Sequence, residues 1–280
     1  MTSTRRRPPR KPSPMEAFDL NMGDAVWMIE LAEALANQRS RGIYSGTRES
    51  LGTALRMTKK VQDGFEVMES DDFFVIIKPG SDVTLESLQD RTALLRHAIV
   101  AACAATETYF ADRIIELVRP QLRAHRTKDG QLPPRLRSIQ LTVGEAIELD
   151  HQYKNRRGLT ERVVAPFIRD RASVDPRALG EALSVAGHKG VFARIDAALE
   201  WPKGQCEQRM TEVANRRNVI AHTGDRAGRG RSPLSVDEAR GITDDLTSIV
   251  HAAESLLAPP RTSASRVDHR PQLYDALVRQ

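Results

Sequence analysis

One segment decides the fold of this 280-residue chain, Leu94-Leu95-Arg96-His97-Ala98-Ile99-Val100-Ala101-Ala102-Cys103-Ala104-Ala105-Thr106-Glu107-Thr108-Tyr109-Phe110. Its apolar and small positions recur at helical spacing along one stripe. The stripe consists of Leu95, Ile99, Ala102, Thr106, Phe110 and Ile114. Small alanine and cysteine side chains between them allow close approach by other helices. We therefore predict a core helix and a mainly α fold.

A second amphipathic helix is predicted further along the chain. Its apolar or small residues are spaced by three, four and seven positions, namely Met210, Val213, Ala214, Ile220 and Ala221. It should begin soon after residues 202–204, and Gly224 is the expected left-handed stop. The last helix should begin at the capping box Ser235-Val236-Asp237-Glu238 and end before Pro259-Pro260.

Shorter elements are predicted elsewhere. Helices are expected over residues 26–36, 51–61 and 146–152, after Asp175-Pro176, and around residues 192–199. Residues 64–68 and 73–77 read as two strands around a short turn. A lone hairpin is marginal in water, so it should pack on helices.

The charge of the chain is concentrated in its N-terminal tail. The formal net charge is +5, and residues 1–14 carry five basic residues without an acid. The remainder has 37 basic and 37 acidic residues and is formally neutral. With its four prolines, this tail is predicted to be disordered. The overall charge therefore says little about the folded surface.

Several classes of function lack sequence support. The two cysteines, Cys103 and Cys206, form no C-x-x-C pattern, so no thiolate zinc site is expected. Neither a phosphate-cradling G-x-x-x-x-G-K-[ST] loop nor a G-x-S-x-G elbow is present. We expect no metal, no cofactor and no membrane span, and a cytoplasmic location. The histidines outside the motif described next have no suggestive partners: His97, His125, His188, His251 and His269.

The residues with the clearest chemistry are Arg217-Asn218-Val219-Ile220-Ala221-His222, predicted to lie at the end of the second helix. A guanidinium matches phosphate oxygens and stays charged, while an imidazole gives or takes a proton near neutral pH. Such a pair can cleave RNA without a metal. The R-N-x-x-x-H pattern resembles the signature of HEPN domains, and its setting is similar to the RiboL-PSP branch of all-helical endoribonucleases.

The segment around Glu107 and Tyr109 is also similar to the first long helix of that branch, where an acidic residue and an aromatic follow small apolar residues. The resemblance covers residues 90–257. It implies a HEPN-like helical bundle over residues 86–258. Residues 15–85 lie outside the resemblance and are predicted from the patterns above to form an accessory region with helices and a short hairpin. A disordered tail, residues 1–14, precedes these parts, and a second tail, residues 259–280, follows them.

The helical geometry limits how Arg217 and His222 could act together. Residues five apart on an ideal helix differ in direction by roughly 140°. Either the last turn is distorted, or a second copy of the chain supplies the missing member. HEPN ribonucleases take the second route, so the resemblance implies a homodimer with a composite active site.

Supporting roles are assigned to further residues. A carboxylate on an apolar helix is costly to bury alone, so we expect Glu107 to pair with Arg217, with an ordinary solvated glutamate as the alternative. Asn218 is expected to hold Arg217 or His222. Four arginines in and beside a glycine-rich loop are candidate RNA contacts, or else part of a solvated connection: Arg216, Arg226, Arg229 and Arg231.

The resulting hypothesis is a metal-independent endoribonuclease, a hydrolase-class nuclease in which a ribose 2′-hydroxyl attacks the adjacent phosphate. The products would be 2′,3′-cyclic phosphate and 5′-hydroxyl ends. The resemblance further implies a toxin or antiviral-defence effector that cuts tRNA or other RNA and is restrained by an inhibitory partner protein. The alternative is a non-catalytic helical module or adaptor that binds RNA, a nucleotide or a protein.

Overall fold

The computed structural model describes residues 10–36, 39–40, 45–58, 66–69, 74–77, 91–126, 134–137, 139–140, 163–228 and 230–257. Over these residues the fold is mainly helical, as predicted. The helices are α1 (Pro14–Ala36), α2 (Ser45–Ala54), α3 (Thr92–Arg126), α4 (Pro134–Arg137), α5 (Ala165–Arg171), α6 (Pro176–Val185), α7 (Val191–Ala198), α8 (Gln205–Thr223) and α9 (Val236–Leu257). None of the helices in this described part is long and apolar enough to cross a membrane.

The strands form two small antiparallel sheets. β2 (Glu66–Glu69) pairs with β3 (Phe74–Ile77), which confirms the predicted hairpin with a shift of one or two residues. The short β1 (Arg39–Ser40) adds to the other side of β2. Between α8 and α9, β4 (Arg226–Ala227) pairs with β5 (Gly230–Arg231), so the glycine-rich loop contains a second, very short ladder.

Helix α3 lies at the centre of the core, as its sequence predicts. Its side chains Ile99, Ala102 and Ile114 are completely buried, and the helix contacts α1, α5, α8 and α9. Most of its buried surface is aliphatic or alanine, which lets the surrounding helices approach closely. Removing this apolar surface from water is the main force that stabilises such a bundle.

Helix α1 belongs to the same core, although the sequence analysis placed it in an accessory region, residues 15–85. Its buried residues alternate at spacings of four and three, namely Phe18, Met22, Ala25, Ile29 and Ala32. They form a stripe that packs on α3 and α9. The division at residue 85 therefore separates this helix from the core that it helps to build.

The N-terminal boundaries differ from the prediction. α1 begins at Pro14, twelve residues before the predicted start, because Ser13 and Glu16 form a capping box. The Ser13 amide donates to Glu16 Oε2 at 2.6 Å and the Glu16 amide donates to Ser13 Oγ at 3.2 Å. The start of α1 thus falls within the predicted disordered tail, residues 1–14. α2 likewise begins before its predicted range of 51–61.

The ends of the motif-bearing helix α8 agree with the prediction. At its start, the buried Asp196 accepts hydrogen bonds from the amides of Gly204 (2.7 Å) and Cys206 (2.8 Å). These bonds satisfy free donors of the first turn. At its end, Gly224 adopts the left-handed conformation with φ of 62°. The position and direction of α8 are therefore fixed at both ends.

The capping predictions for the neighbouring helices are also confirmed. The Glu238 amide donates to Ser235 Oγ at 3.0 Å at the start of α9, and that helix ends at Leu257. Asp175 caps α6 by accepting from the amides of Arg177 and Ala178. The helix predicted over 146–152 and the C-terminal tail, residues 259–280, lie outside the described residues.

Candidate active site

The first feature of the site is an ion pair between α3 and α8. Arg217 Nη2 donates to Glu107 Oε1, which is the pairing expected from the cost of burying a lone carboxylate. The two side chains keep 24% and 25% of their surface exposed. Arg217 Nη1 also donates to Asn218 Oδ1 at 3.0 Å. The guanidinium is thus held on two sides while part of it reaches solvent.

Glu107 connects this pair to a third part of the bundle. Its Oε1 also accepts from Ser173 Oγ at 3.4 Å and from the Val174 amide at 3.3 Å. Both donors lie in the connection between α5 and α6. The carboxylate of Glu107, on α3, therefore links Arg217 on α8 to the connection between α5 and α6.

Cys103 lies next to the same ion pair but is unsuited to nucleophilic chemistry. Burial, reinforced by the negative charge of Glu107, raises the pKa of its thiol to about 12. A thiol with such a pKa is almost entirely protonated at neutral pH, and the thiolate is the reactive form. Among the side chains around Arg217, Cys103 thus contributes packing, as the sequence predicted.

His222 lies in the last turn of α8 with its side chain exposed to solvent. The helix is continuous from Gln205 to Thr223, so the distorted last turn considered above is not observed. Regular helical geometry directs Arg217 and His222 about 140° apart. Arg217 faces α3, whereas His222 shares an exposed face with Val219, three residues before it. Within one chain the two groups therefore do not converge on one phosphate.

Val219 adds an apolar element to that exposed face. Its side chain is 41% exposed, which makes it one of five large apolar residues on the surface of the described part of the chain. The others are Leu20, Val26 and Trp27 on α1, and Leu55 after α2. An apolar side chain beside His222 provides a contact that a second chain could bury.

A buried charge cluster supports the end of α8. The completely buried Asp225 accepts from Arg96 Nε at 2.7 Å and from Arg216 Nη1 at 2.5 Å. Arg96 also donates to the Ser232 carbonyl at 2.7 Å, and the Ser232 amide donates to the Asp225 carbonyl at 2.8 Å. The cluster therefore ties α3, α8 and the connection to α9 together.

The pKa of Asp225 reflects two opposing effects. Burial by itself would raise the pKa of this carboxyl. The hydrogen bond from Arg96 and the positive charge of Arg216 outweigh burial and hold the pKa below its ordinary value. Asp225 is thus a charged anchor at neutral pH.

The cluster gives Arg216 a structural role that the sequence analysis did not foresee. In addition to Asp225, its guanidinium contacts Glu238 Oε1 at 3.1 Å and the Pro233 carbonyl at 3.1 Å. With Nε, Nη1 and Nη2 each donating to one of these groups, Arg216 has little capacity left for a phosphate, and the geometry does not support its predicted RNA contact. Arg226 and Arg231 are exposed on β4 and β5. Arg229 lies outside the described residues.

A pocket of about 310 Å³ lies between α3 and the end of α8, and we call it the α3–α8 pocket. Its lining consists of Ala93, Arg96, His97, Val100, Ile220, Ala221, Gly224 and Arg231. Val100 lies seven residues, or about two helical turns, before Glu107 on α3. The pocket therefore opens on the same interhelical groove that holds the Glu107–Arg217 pair.

Sequence reasoning missed Arg96, His97 and Asp225 as members of this region. Arg96 was included only as part of the core helix, His97 had no suggestive partner in the sequence, and no role was predicted for Asp225. One local signal was present: an arginine in an otherwise apolar helix must be paired if buried. The identity of its partner, 129 residues away, carries no local signal.

Tyr109 is a packing residue. Its buried ring contacts Phe18 and Phe110 in edge-to-face geometry, and its hydroxyl donates to Glu254 Oε2 at 2.7 Å. These contacts join α3 to α1 and α9, away from the motif.

No group of three or more His, Cys, Asp or Glu side chains suited to a metal ion occurs among the residues that the structure describes. Comparisons with protein-family models, with curated proteins and with solved structures found no match to this chain. Any functional assignment therefore depends on the geometry of the residues described above.

Proposed function

We propose that this protein is a metal-independent endoribonuclease of the HEPN type. The observation that carries the proposal is the Arg217 guanidinium, held by Glu107 and Asn218 on the helix that ends with an exposed His222. A fixed cation that recognises phosphate and a solvent-accessible imidazole are the two groups that this reaction needs. Glu107 acts as a positioning residue, since it touches Arg217 and not the reacting atoms.

The proposed reaction is an intramolecular transesterification, in which the phosphorus exchanges its bond to the 5′-oxygen for a bond to the 2′-oxygen. The ribose 2′-oxygen attacks the adjacent phosphorus and loses its proton to one imidazole, while the bond to the 5′-oxygen breaks and that oxygen gains a proton from a second imidazole. Arg217 neutralises the charge that develops on the phosphate oxygens. The products are a 2′,3′-cyclic phosphate and a 5′-hydroxyl. DNA lacks the nucleophile and is not cleaved.

A homodimer completes the site in this proposal. Arg217 and His222 diverge within one chain, so the second imidazole and the complementary guanidinium come from a partner copy. The exposed face of α8 that carries Val219 and His222 is the surface on which two copies would meet at a two-fold axis. In this proposal a symmetric contact at that end of α8 brings the two His222 side chains together, and the RNA strand runs from there to the solvent-exposed part of Arg217.

The biological setting is proposed from the resemblance alone. It is that of a toxin or antiviral-defence effector that cuts tRNA or other cellular RNA in the cytoplasm and is restrained by an inhibitory partner protein. No residue of the described part points to a particular RNA sequence.

One observation favours the alternative, a non-catalytic helical binding module. The charge of Arg217 is already neutralised by Glu107, and a bridge of this kind could serve only to join α3 to α8. The exposure of His222 argues against the purely structural adaptor. A binding module would hold RNA without changing its length.

The two functions are separated by incubating the full chain with ribose-containing RNA in EDTA and analysing the new ends. The ribonuclease produces fragments with 5′-hydroxyls, which a kinase labels without prior phosphatase treatment. Intact RNA that co-migrates with the protein would contradict the proposal and support the binding module.

The Glu107→Gln variant tests the role of the ion pair. Glutamine keeps the size of the side chain but removes the charge that orients the guanidinium. We expect kcat for RNA cleavage to fall about 10- to 100-fold, with KM little changed because the phosphate contact itself remains. Steady-state kinetics on a short labelled RNA measure both quantities.

Glu254→Gln is the matched control. Glu254 also bridges two helices, by accepting from Tyr109 and pairing with Arg113 at 3.1 Å, but it lies away from the motif. Both variants should lose a similar small amount of stability, and only Glu107→Gln should lose activity. Equal kcat in both variants would show that the Glu107–Arg217 pair is structural.

A further inference from the structure

Two arginines face each other across the short ladder beside the α3–α8 pocket. Arg226 and Arg231 are direct partners in the β4–β5 register, so their side chains lie on the same face of the ladder. Both are exposed. Like charges opposite one another repel unless an anion lies between them. Their arrangement points to an anionic ligand at this edge of the pocket.

The interior of the pocket adds a second, independent indication. Arg96 lines it and is 4% exposed, and its Nη1 has no hydrogen-bond partner. Its Nε and Nη2 are used by Asp225 and Ser232, so Nη1 is the part of the guanidinium left over. A buried donor without an acceptor is uncommon in native proteins. Nη1 has almost no surface open to solvent, so what Arg96 presents to the pocket is the positive charge of its guanidinium and not a free N–H group.

His97 presents its Nε2 atom to the same ligand, and the hydrogen-bonding role of this atom can be assigned. Its Nδ1 lies 2.8 Å from the Ala93 carbonyl, and a carbonyl can only accept, so Nδ1 carries the hydrogen. The neutral ring therefore presents Nε2 as an acceptor, and the protonated ring presents it as a donor. Beside it, the wall formed by Val100, Ile220 and Ala221 is apolar.

We propose that the α3–α8 pocket, with Arg226, binds a single nucleotide. The base occupies the apolar cavity between Val100 and Ile220 and makes a hydrogen bond to His97, and the phosphate lies between Arg226 and Arg231. A volume of about 310 Å³ is at the lower end of the range for small-ligand sites and fits one nucleotide and not a longer stretch of chain. The proposal rests on the proposed function, in that the nucleotide is one unit of the RNA held next to the cleavage site.

A larger groove of about 1030 Å³ is the competing location for an anion. Its lining has four basic residues, Arg135, Arg177, Lys189 and Lys203, against the three acids Glu181, Asp196 and Glu207, so all but one of its positive charges are balanced. The amides at the start of α8 that border it are occupied by Asp196. This groove supplies the matched control.

The test is calorimetric titration of the full chain with the four nucleoside 5′-monophosphates and with inorganic phosphate, none of which the enzyme can cleave. At least one nucleotide should bind about tenfold or more tightly than phosphate. Val100→Trp fills the cavity and should weaken nucleotide binding at least about tenfold. His97→Phe, an exposed change that keeps the ring but removes its nitrogens, should weaken it about two- to tenfold. Arg177→Gln should bind as the wild type does.

The proposal would be overturned if nucleotides and phosphate bound with equal affinity. It would also be overturned if Arg177→Gln weakened nucleotide binding and the two pocket variants did not. RNA cleavage measured in parallel separates it from the proposed function. Cleavage that depends on His222 without nucleotide binding overturns the pocket alone. Nucleotide binding that the pocket variants weaken, in a wild-type protein that cuts no RNA, supports the pocket and overturns the ribonuclease.

Discussion

Replacing His222 by alanine should abolish RNA cleavage while leaving the fold intact. The imidazole is the proton-transfer group of the proposed reaction, and loss of a positioned acid–base group reduces rates by about 10²- to 10⁴-fold. Because each protomer contributes one His222 in the proposed dimer, both proton transfers would be lost at once, and the upper part of this range is expected. The side chain is exposed in the single chain, so its removal should not change the fold, and the apolar contact of Val219 should keep the two protomers together. Cleavage of a short all-ribose RNA measures the effect.

The controls for this experiment are a second histidine and a second substrate. His251 lies on α9 with 57% of its side chain exposed, and His251→Ala should cleave RNA at the wild-type rate. A substrate with 2′-deoxyribose at the cleavage position should resist the wild-type enzyme. Undiminished cutting by His222→Ala, together with cleavage of the 2′-deoxy substrate, would rule out the mechanism.

The largest expected effect on stability follows from Asp225→Asn. Asparagine keeps the shape of the side chain and tolerates the left-handed backbone found here, with φ of 61°. It removes the negative charge between Arg96 and Arg216, which are 5% and 18% exposed. Breaking a buried ion pair costs about 3–5 kcal/mol of unfolding free energy. Urea unfolding at neutral pH measures the loss, and Asp24→Asn on the exposed side of α1 should change stability by less than about 0.5 kcal/mol.

The effect of Asp225 should also depend on pH. Since its pKa in the folded protein lies below the ordinary value of 3.8, the charged carboxylate stabilises the fold fully above that value. The contribution is lost as the pH falls below it, because protonation then becomes favourable in the unfolded chain first. The stability difference between wild type and Asp225→Asn should therefore shrink as the pH falls from neutral through 3.8 toward the lower pKa of Asp225 in the folded protein. A constant difference would contradict the role assigned to this charge.

Local sequence patterns were sufficient to predict the helices that surround and carry the R-N-x-x-x-H motif. The stripe on α3, the glycine that ends α8 and the serine that caps α9 each depend on residues within about one or two helical turns of one another. The Glu107–Arg217 contact could also be predicted from the sequence, because a carboxylate on an apolar helix needs a cation and the resemblance pointed to Arg217 as that cation. The same local logic would have located the start of α1, where Ser13 and Glu16 have capping-box spacing.

The features that were not foreseen depend on contacts between distant segments. Asp225 follows Gly224 in a loop rich in arginine, and nothing near it in sequence indicates that it is completely buried against Arg96. For the same reason Arg216 was expected to contact RNA, since a guanidinium in a basic loop and one in a structural cluster have the same local sequence. The place of α1 in the core likewise follows from packing on α3 and α9, which the spacing of Phe18 and Ile29 permits but does not specify.

The central claim is that two protomers together form the site, and a subunit-mixing experiment tests it most directly. Wild-type chain and an Arg217→Ala/His222→Ala chain are co-expressed in varying ratios with different tags, and RNA cleavage is measured against the wild-type fraction. If each site needs groups from both chains, only wild-type dimers are fully active, and an equal mixture retains about one quarter of the activity in a two-fold dimer. Activity that falls in simple proportion to the wild-type fraction, to about one half in the equal mixture, would mean that each chain works alone and would contradict the composite site.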